Sequence, residues 1–315
     1  GDQLHPNGEL DPAVYRLLAH TFGRIEALEP WLQGSEPVAE VAILSLPHSR
    51  AWPLPAHGNG VEGAAQMLLE SAIQFDILDP QSELSPYQVV ILADEGVVDE
   101  ALRARLLAYL EGGGKLLVSG QADYDAAGGR FNVPGVPVTL ENPVPTVPSY
   151  LRVDGALARG EVAADYDYVF YEQAYQVQPL AGAQTYGRLR RALFNRTWEH
   201  FISHAHAPVG DDLNAPLVVA QGNVVYLAAP LFGAYRNHDY WIYRTVALQA
   251  LGLLLPDPIL RVSGPPWLEA SLQVQAAAGD HPKRRVVHLV AYQSRRTMQP
   301  VPHVDKAWPL ANVSF

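Results

Sequence analysis

The sequence contains no cysteine. That one absence excludes disulfide bonds, thiolate metal sites and any thiol nucleophile. Lysine is scarce too: only three of the 22 basic residues are lysines, against 33 acidic residues, giving a net charge of −11 without a basic run. An acidic surface with no basic stripe argues against nucleic-acid or anionic-membrane partners. No apolar run reaches the roughly 18 residues that a membrane-spanning helix needs. No export signal is legible, so a cytoplasmic location is the expectation. Internal repeats and low-complexity tracts are also missing. The chain opens at Gly1 rather than methionine, inside a loop-like stretch, and reads as a piece of a longer polypeptide.

What is present is a globular composition. The chain has 315 residues, 48% of them hydrophobic, enough for two domains with a large core. Asp11-Pro12 provides an N-cap followed by proline at the first helical position. Val14, Leu17, Leu18, Phe22, Ile25 and Leu28 then recur at helical spacing, with a stop expected near Glu29-Pro30. A lone amphipathic helix cannot bury its own face, so it must pack on the rest of this chain or on another domain. Residues 38–120 alternate apolar strands with amphipathic helices. Strands are expected at 38–46, 75–78, 88–93 and 115–120, and helices at 61–74 and 100–111, the pattern of a parallel sheet covered on both faces. Residues 121–148, rich in glycine and proline, are expected to be irregular. Residues 217–227 read as a hairpin turning at Gly222-Asn223, and 240–255 as a helix ended by Pro256-Asp-Pro258. Beyond 258 the alternation at 270–276 and 285–292 predicts antiparallel strands. A small β-sandwich-like domain is expected there, incomplete at Phe315.

Candidate chemistry is sparse. His200, His204 and His206 form the tightest cluster. On a helix, His200 and His204 would share a face and could take zinc with a nearby carboxylate. The Glu that a metalloprotease needs directly after the first histidine is absent, which favours hydrogen-bonded histidines at a domain or subunit contact. Ser119-Gly120-Gln121 stands where a nucleophile elbow belongs but lacks glycines two residues to either side of the serine. Asp94-Glu95 closes a strand end that would face a ligand crevice, or else caps the next helix. The run Gly112–Gly114 follows a helix and has no Lys-Ser/Thr partner, so it is a helix end and turn rather than a phosphate loop. Tyr166, Tyr168 and Tyr171 could stack on sugars or simply fill the core of a strand. Asn195-Arg-Thr197 and Asn312-Val-Ser314 match glycosylation acceptors.

Taken in order, several segments resemble one family. The 38–120 series is similar to class I glutamine amidotransferases stripped of their cysteine. Residues 38–255 resemble the beta-galactosidase trimerisation domain, which shares that fold. Gly1-Asp-Gln-Leu-His-Pro-Asn-Gly8 with the following helix looks like the end of a (β/α)₈ glycosidase barrel. Glu199-His-Phe-Ile-Ser-His204, Gly222-Asn-Val-Val-Tyr-Leu-Ala-Ala-Pro-Leu-Phe232 and Tyr235 look like stretches in glycosidases of the hypothetical glycosyl hydrolase and fucosidase-like kind. Arg285-Val-Val-His-Leu-Val-Ala-Tyr292 resembles the β-domain that follows.

The resemblance implies three parts: a barrel tail at 1–36, an amidotransferase-like trimerisation domain at 37–257 and a C-terminal β-domain at 258–315. It implies that the paired carboxylates of glycoside hydrolysis lie on a catalytic barrel outside this chain, which would then hold no catalytic residue, metal or cofactor of its own. Asp2, Gln3 and His5 would line the sugar pocket, because barrel sites sit at strand C-termini. His200 and His204 would approach that pocket or a subunit interface. The leading expectation is a non-catalytic portion that oligomerises, as a trimer, and completes the site of a glycoside hydrolase acting on carbohydrate. The alternatives are a free-standing amidotransferase-like hydrolase with a histidine-based site, or a carbohydrate-binding module.

Overall fold

The structure, a computed structural model, describes residues 4–49, 52–55, 59–277, 279, 282–291 and 309–315. The chain divides into two compact units, residues 1–38 with 270–290, and residues 39–269 with 291–315.

In chain order the elements begin with α1 (Pro12–Leu32), β1 (Ser35–Pro37), β2 (Val41–Leu44), the short pair β3 (Pro47–Ser49) and β4 (Trp52–Pro55), α2 (Asn59–Leu69), β5 (Phe75–Leu78) and β6 (Val89–Leu92). Next come α3 (Glu100–Glu111), β7 (Lys115–Ser119), the pair β8 (Tyr124–Asp125) and β9 (Arg130–Phe131), β10 (Val138–Pro143), β11 (Ser149–Arg152), β12 (Asp167–Phe170) and β13 (Tyr175–Pro179). The chain ends through β14 (Gln184–Ala192), β15 (Val209–Gln221), β16 (Val224–Leu227), α4 (Leu231–His238), α5 (Trp241–Leu254), β17 (Leu268–Gln275) and β18 (Arg284–Ala291).

The larger unit is built on one nine-stranded sheet of order β12-β11-β14-β15-β16-β7-β6-β2-β5. From β16 to β5 every pair is parallel. Renumbered among themselves these five strands run 2-1-3-4-5, the flavodoxin-like order. Strands β2, β6 and β16 are buried at every position, as expected of strands covered on both faces. The sequence expectation of an α/β layer with flanking helices therefore holds. Helix α3 has the predicted bounds and is capped by Asp99, whose carboxylate accepts from Leu102 N at 2.7 Å.

The antiparallel half, β15-β14-β11-β12, falls between β7 and β16 in sequence and extends the sheet beyond β16. It contains the expected hairpin, in which Gln221 pairs with Val224 across Gly222-Asn223 and Gly222 takes φ +57°. Residues 121–148 differ from expectation. They are not irregular throughout, because β8 pairs with β9 and β10 pairs with β13. The prolines are tolerated because β10 lies in a two-stranded ladder with a register break at Leu140/Asn142, a setting in which missing N–H donors cost little.

In the smaller unit α1 begins as predicted: the Asp11 carboxylate accepts from Ala13 N at 2.8 Å and Val14 N at 3.2 Å. The helix continues past the expected stop, through Pro30 to Leu32. Its terminal carbonyls, which have no intrahelical partner, are taken up by side chains. Gln275 Nε2 donates to Pro30 O at 3.0 Å and to Gln33 O at 2.7 Å, and the Arg284 guanidinium lies 4.0 Å from the Trp31 ring centroid. Strand β1 pairs with β17, and β17 with β18, in one three-stranded antiparallel sheet. The antiparallel strands expected after 258 are thus present. Their sheet also takes in residues 35–37, and among the described residues it has three strands. No residue of α1 is buried: Leu17 is 67% and Phe22 63% exposed, and Ile25, Leu28 and Trp31 are exposed beside them.

Candidate functional site

Open parallel sheets bind ligands outside strand C-termini where the strand order reverses, here beyond β2 and β6. Asp94, two residues beyond the end of β6, is buried and has φ +62°, a conformation that aspartate adopts more readily than most residues. Ser119, the last residue of β7, is fully buried; its hydroxyl donates to Asp94 Oδ1 at 2.6 Å and accepts from Asp94 N at 2.8 Å. Asp94 Oδ2 accepts from Gly233 N, in the first turn of α4, at 2.6 Å. Burial pushes the Asp94 carboxyl up to about 7, against the lowering pull of Ser119 and the Gly233 N–H. The expected cap of the next helix is therefore corrected: Asp99 caps α3, whereas Asp94 serves the N-terminus of α4, which is distant in sequence.

The elbow position itself is sealed. Gly120 turns the chain at φ +57°, and a Cβ there would lie 2.8 Å from the carbonyl oxygen of Asp94. Tyr226 Oη donates to Gly120 O at 2.7 Å. Neither a thiol nor a hydroxyl can project from Gly120, and the Ser119 hydroxyl faces inward. Among the described residues no histidine bonds to Ser119, so no Ser-His pair forms there.

The second candidate region lies in the antiparallel half of the sheet. The segment between β14 and β15 is a loop rather than a helix, so His200 and His204 do not share a helical face. No group of three His, Asp or Glu among the described residues is placed to hold a metal ion. The loop is held at its base: Leu193 N donates to Pro208 O at 2.8 Å and Arg196 Nη1 to His204 O at 2.9 Å. Asn195, the first glycosylation match, spends both ends of its amide on residues 145–147. Beyond that base Trp198 is 86% and Phe201 65% exposed.

Beside the loop a cavity of about 490 Å³ is lined by Tyr150, Asp165, Tyr166, Asp167, His204 and His206, among others. His206 stands edge-on to Tyr150 and Tyr171, at centroid distances of 6.0 and 5.9 Å. Asp167 takes two 2.7 Å bonds from Arg152 and one of 2.8 Å from Arg190. Burial raises its carboxyl, but the two guanidiniums outweigh burial and hold it below the usual range.

The site residues expected from sequence are distributed unevenly. Asp2 and Gln3 lie outside the described residues. His5 is exposed, with Nε2 3.9 Å from Asp11. His204 lines the cavity, while His200 sits against Phe194 with ring centroids 6.0 Å apart. The three-tyrosine platform does not form: Tyr166 is exposed, Tyr168 is buried between it and Trp241, and Tyr171 is half-buried. Sequence reasoning missed Tyr150 and the Arg152–Asp167–Arg190 group. The alternation of Arg188 and Arg190 along β14 was the available signal.

The architecture defined here is a flavodoxin-like layer with an antiparallel extension, and the solved structures it is similar to are glycoside hydrolases. The solved alpha-L-fucosidase isoenzyme 2 from Paenibacillus thiaminolyticus superposes with a TM-score of 0.88 at 30% identity, over 99% of this chain and 47% of that one. Beta-galactosidases from Rahnella sp. R3 and Bacillus circulans sp. alkalophilus match with TM-scores of 0.59 and 0.57 at 18% and 16% identity. Each covers about 86–87% of this chain and 39% of its own. The chain thus spans less than half the length of these structures. At the level of fold, the expected kinship with the beta-galactosidase trimerisation domain holds. No protein-family model matches the sequence, and no curated protein matches it.

Proposed function

We propose that this chain is the non-catalytic portion of a glycoside hydrolase, with two tasks: holding subunits together as a trimer, and completing a carbohydrate site whose acid and nucleophile lie on a (β/α)₈ barrel outside residues 1–315. The observation that carries the reading is the sealed elbow: Gly120 fills the strand end where a nucleophile would stand, and has no room for a side chain. Similarity over nearly the whole chain to under half of a fucosidase supports the missing catalytic part.

Two exposed apolar surfaces fit this arrangement. The α1 stripe of Leu17, Ile25 and Leu28 suits packing against the barrel, since a helix with no buried residue gains little from propensity alone. The loop carrying Trp198, His200, Phe201 and His204 suits insertion into a site or subunit interface, where aromatic anchors dominate binding energy. His200 and His204 would donate to sugar hydroxyls. On the resemblance of the first residues to a barrel tail, Asp2, Gln3 and His5 would face the sugar held by that barrel.

The test uses the whole protein. Analytical ultracentrifugation should give a trimer at micromolar concentration. His204→Ala and Trp198→Ala should lower kcat/KM on aryl α-L-fucosides or β-D-galactosides at least tenfold without unfolding the chain. A monomer with full glycosidase activity, or an active protein indifferent to both substitutions, would overturn the proposal.

A further inference from the structure

The crevice above the sealed elbow still has room. A cavity of about 330 Å³ opens there, lined among others by Asn59, Glu95, Gln121, Glu172, Tyr175 and Asn237. Its floor is closed by backbone at close approach. Besides Gly120, a Cβ on Gly60 would lie 2.7 Å from Ala93 O, and one on Gly233 would lie 3.2 Å from Asp94 Oδ2. Its walls are an ordered set of amide, imidazole and carboxylate groups. Asn59 Nδ2 donates to Asn237 Oδ1 at 2.8 Å, Asn237 Nδ2 to Glu172 Oε1 at 3.0 Å, and His238 Nε2 lies 2.8 Å from the same oxygen. This chain of bonds fixes which atoms remain for a ligand. Among the described residues no partner bonds the Gln121 side chain or the Tyr175 hydroxyl. Burial, with Asp94 nearby, raises the Tyr175 phenol, so it stays a neutral donor.

The chemistry selects the occupant. No arginine or lysine is among the described lining residues, while Asp94, Glu95 and Glu172 are. Phosphates, nucleotides and carboxylates would therefore meet repulsion. Amide, carboxylate and phenol groups around a cavity of this size, at the switch point of the strand order, match the hydroxyl groups of a neutral polyol. We propose that this crevice binds a small neutral sugar, one hexose unit in size, through Gln121, Tyr175 and Asn237, so that the fold keeps a ligand site where it has lost a nucleophile. The inference does not depend on the role given above to the loop between β14 and β15.

Hydrogen-exchange mass spectrometry on the whole protein tests it, with L-fucose, D-galactose, inorganic phosphate and ethylammonium as separate probes. Either sugar should slow exchange in residues 59–63, 94–96 and 231–238, whatever happens at 193–206. Phosphate should have no effect. Gln121→Leu, whose side chain is exposed and unbonded, should weaken the sugar effect about tenfold, and Asn237→Leu at least as much. Circular dichroism should report both variants folded. Protection only at 193–206, protection by ethylammonium but by neither sugar, or an undiminished sugar effect in the folded Gln121→Leu variant would each overturn the assignment.

Discussion

The two halves of the nine-stranded sheet solve opposite problems. In the parallel half, strands are buried on both faces and glycine backbones close the space around Asp94. In the antiparallel half, charged side chains pair across strands, as Arg152 and Arg190 do with Asp167, and the connection from β14 to β15 carries Trp198 and Phe201 into solvent. The comparison teaches that the half with the flavodoxin-like strand order is closed by packing, while the added half presents exposed aromatic side chains. Loops held at their base by a scaffold are where function concentrates.

The sharpest way to break this contrast is to put atoms into the sealed half. Gly63 lets α2 meet α4, and a Cβ there would lie 1.9 Å from Phe232 O. Gly63→Ala should cost more than about 3 kcal/mol despite the better helix propensity of alanine, read by urea denaturation. Gly120→Cys would restore the thiol of the amidotransferase pattern. The positive φ and the contact with Asp94 O should cost about 2–4 kcal/mol, and no acyl-transfer activity should appear. A stable Gly120→Cys protein with a freely reactive thiol would refute the sealed-elbow account.

A subtler probe is pH. The Asp94 carboxyl is raised from 3.8 to about 7, chiefly by burial. A raised value means that its favourable contribution is complete below about pH 4 and is lost as pH rises through about 7. Asn at this position can still accept from Gly233 N and carries no charge. The stability of Asp94→Asn relative to the parent should therefore rise by about 2–4 kcal/mol between those limits, measured by thermal melting across the range.

The antiparallel half should respond with the opposite sign. Asp167 is held below the usual range, so its contribution is present above the ordinary aspartate value and disappears as pH falls through the depressed one. Asp167→Asn should cost about 1–2 kcal/mol at neutral pH and little in strong acid, by the same melting assay. The smallest effect on stability belongs to the loop. Trp198→Ala and Phe201→Ala should each change the unfolding free energy by less than about 0.5 kcal/mol, because both rings are exposed. A larger loss would mean that the loop is part of the core.

Much of the parallel half was legible because period and punctuation agree there. Fully apolar strands, a leucine-striped helix between Asp99 and Gly112, and the Gly222-Asn223 turn leave few alternatives. The antiparallel half was hardly legible. β11, β12 and β14 mix arginine, aspartate and tyrosine with apolar residues, and their meaning depends on cross-strand partners far away in sequence. The histidine cluster was visible, but its loop geometry was not, since spacing alone cannot tell a helix from an extended connection.

By itself the sequence determined that no thiol chemistry is available, that an α/β layer forms, and that an amphipathic helix starts at Asp11. Those follow from composition and short-range periodicity, which act within a few residues. Only the tertiary structure decided that Asp94 serves α4 instead of α3, that Gly120 has no space for a side chain, and that His204 rather than His200 faces the cavity beside Tyr166. Each of those depends on groups brought together across more than twenty residues of chain, where packing rather than local preference fixes what an atom touches.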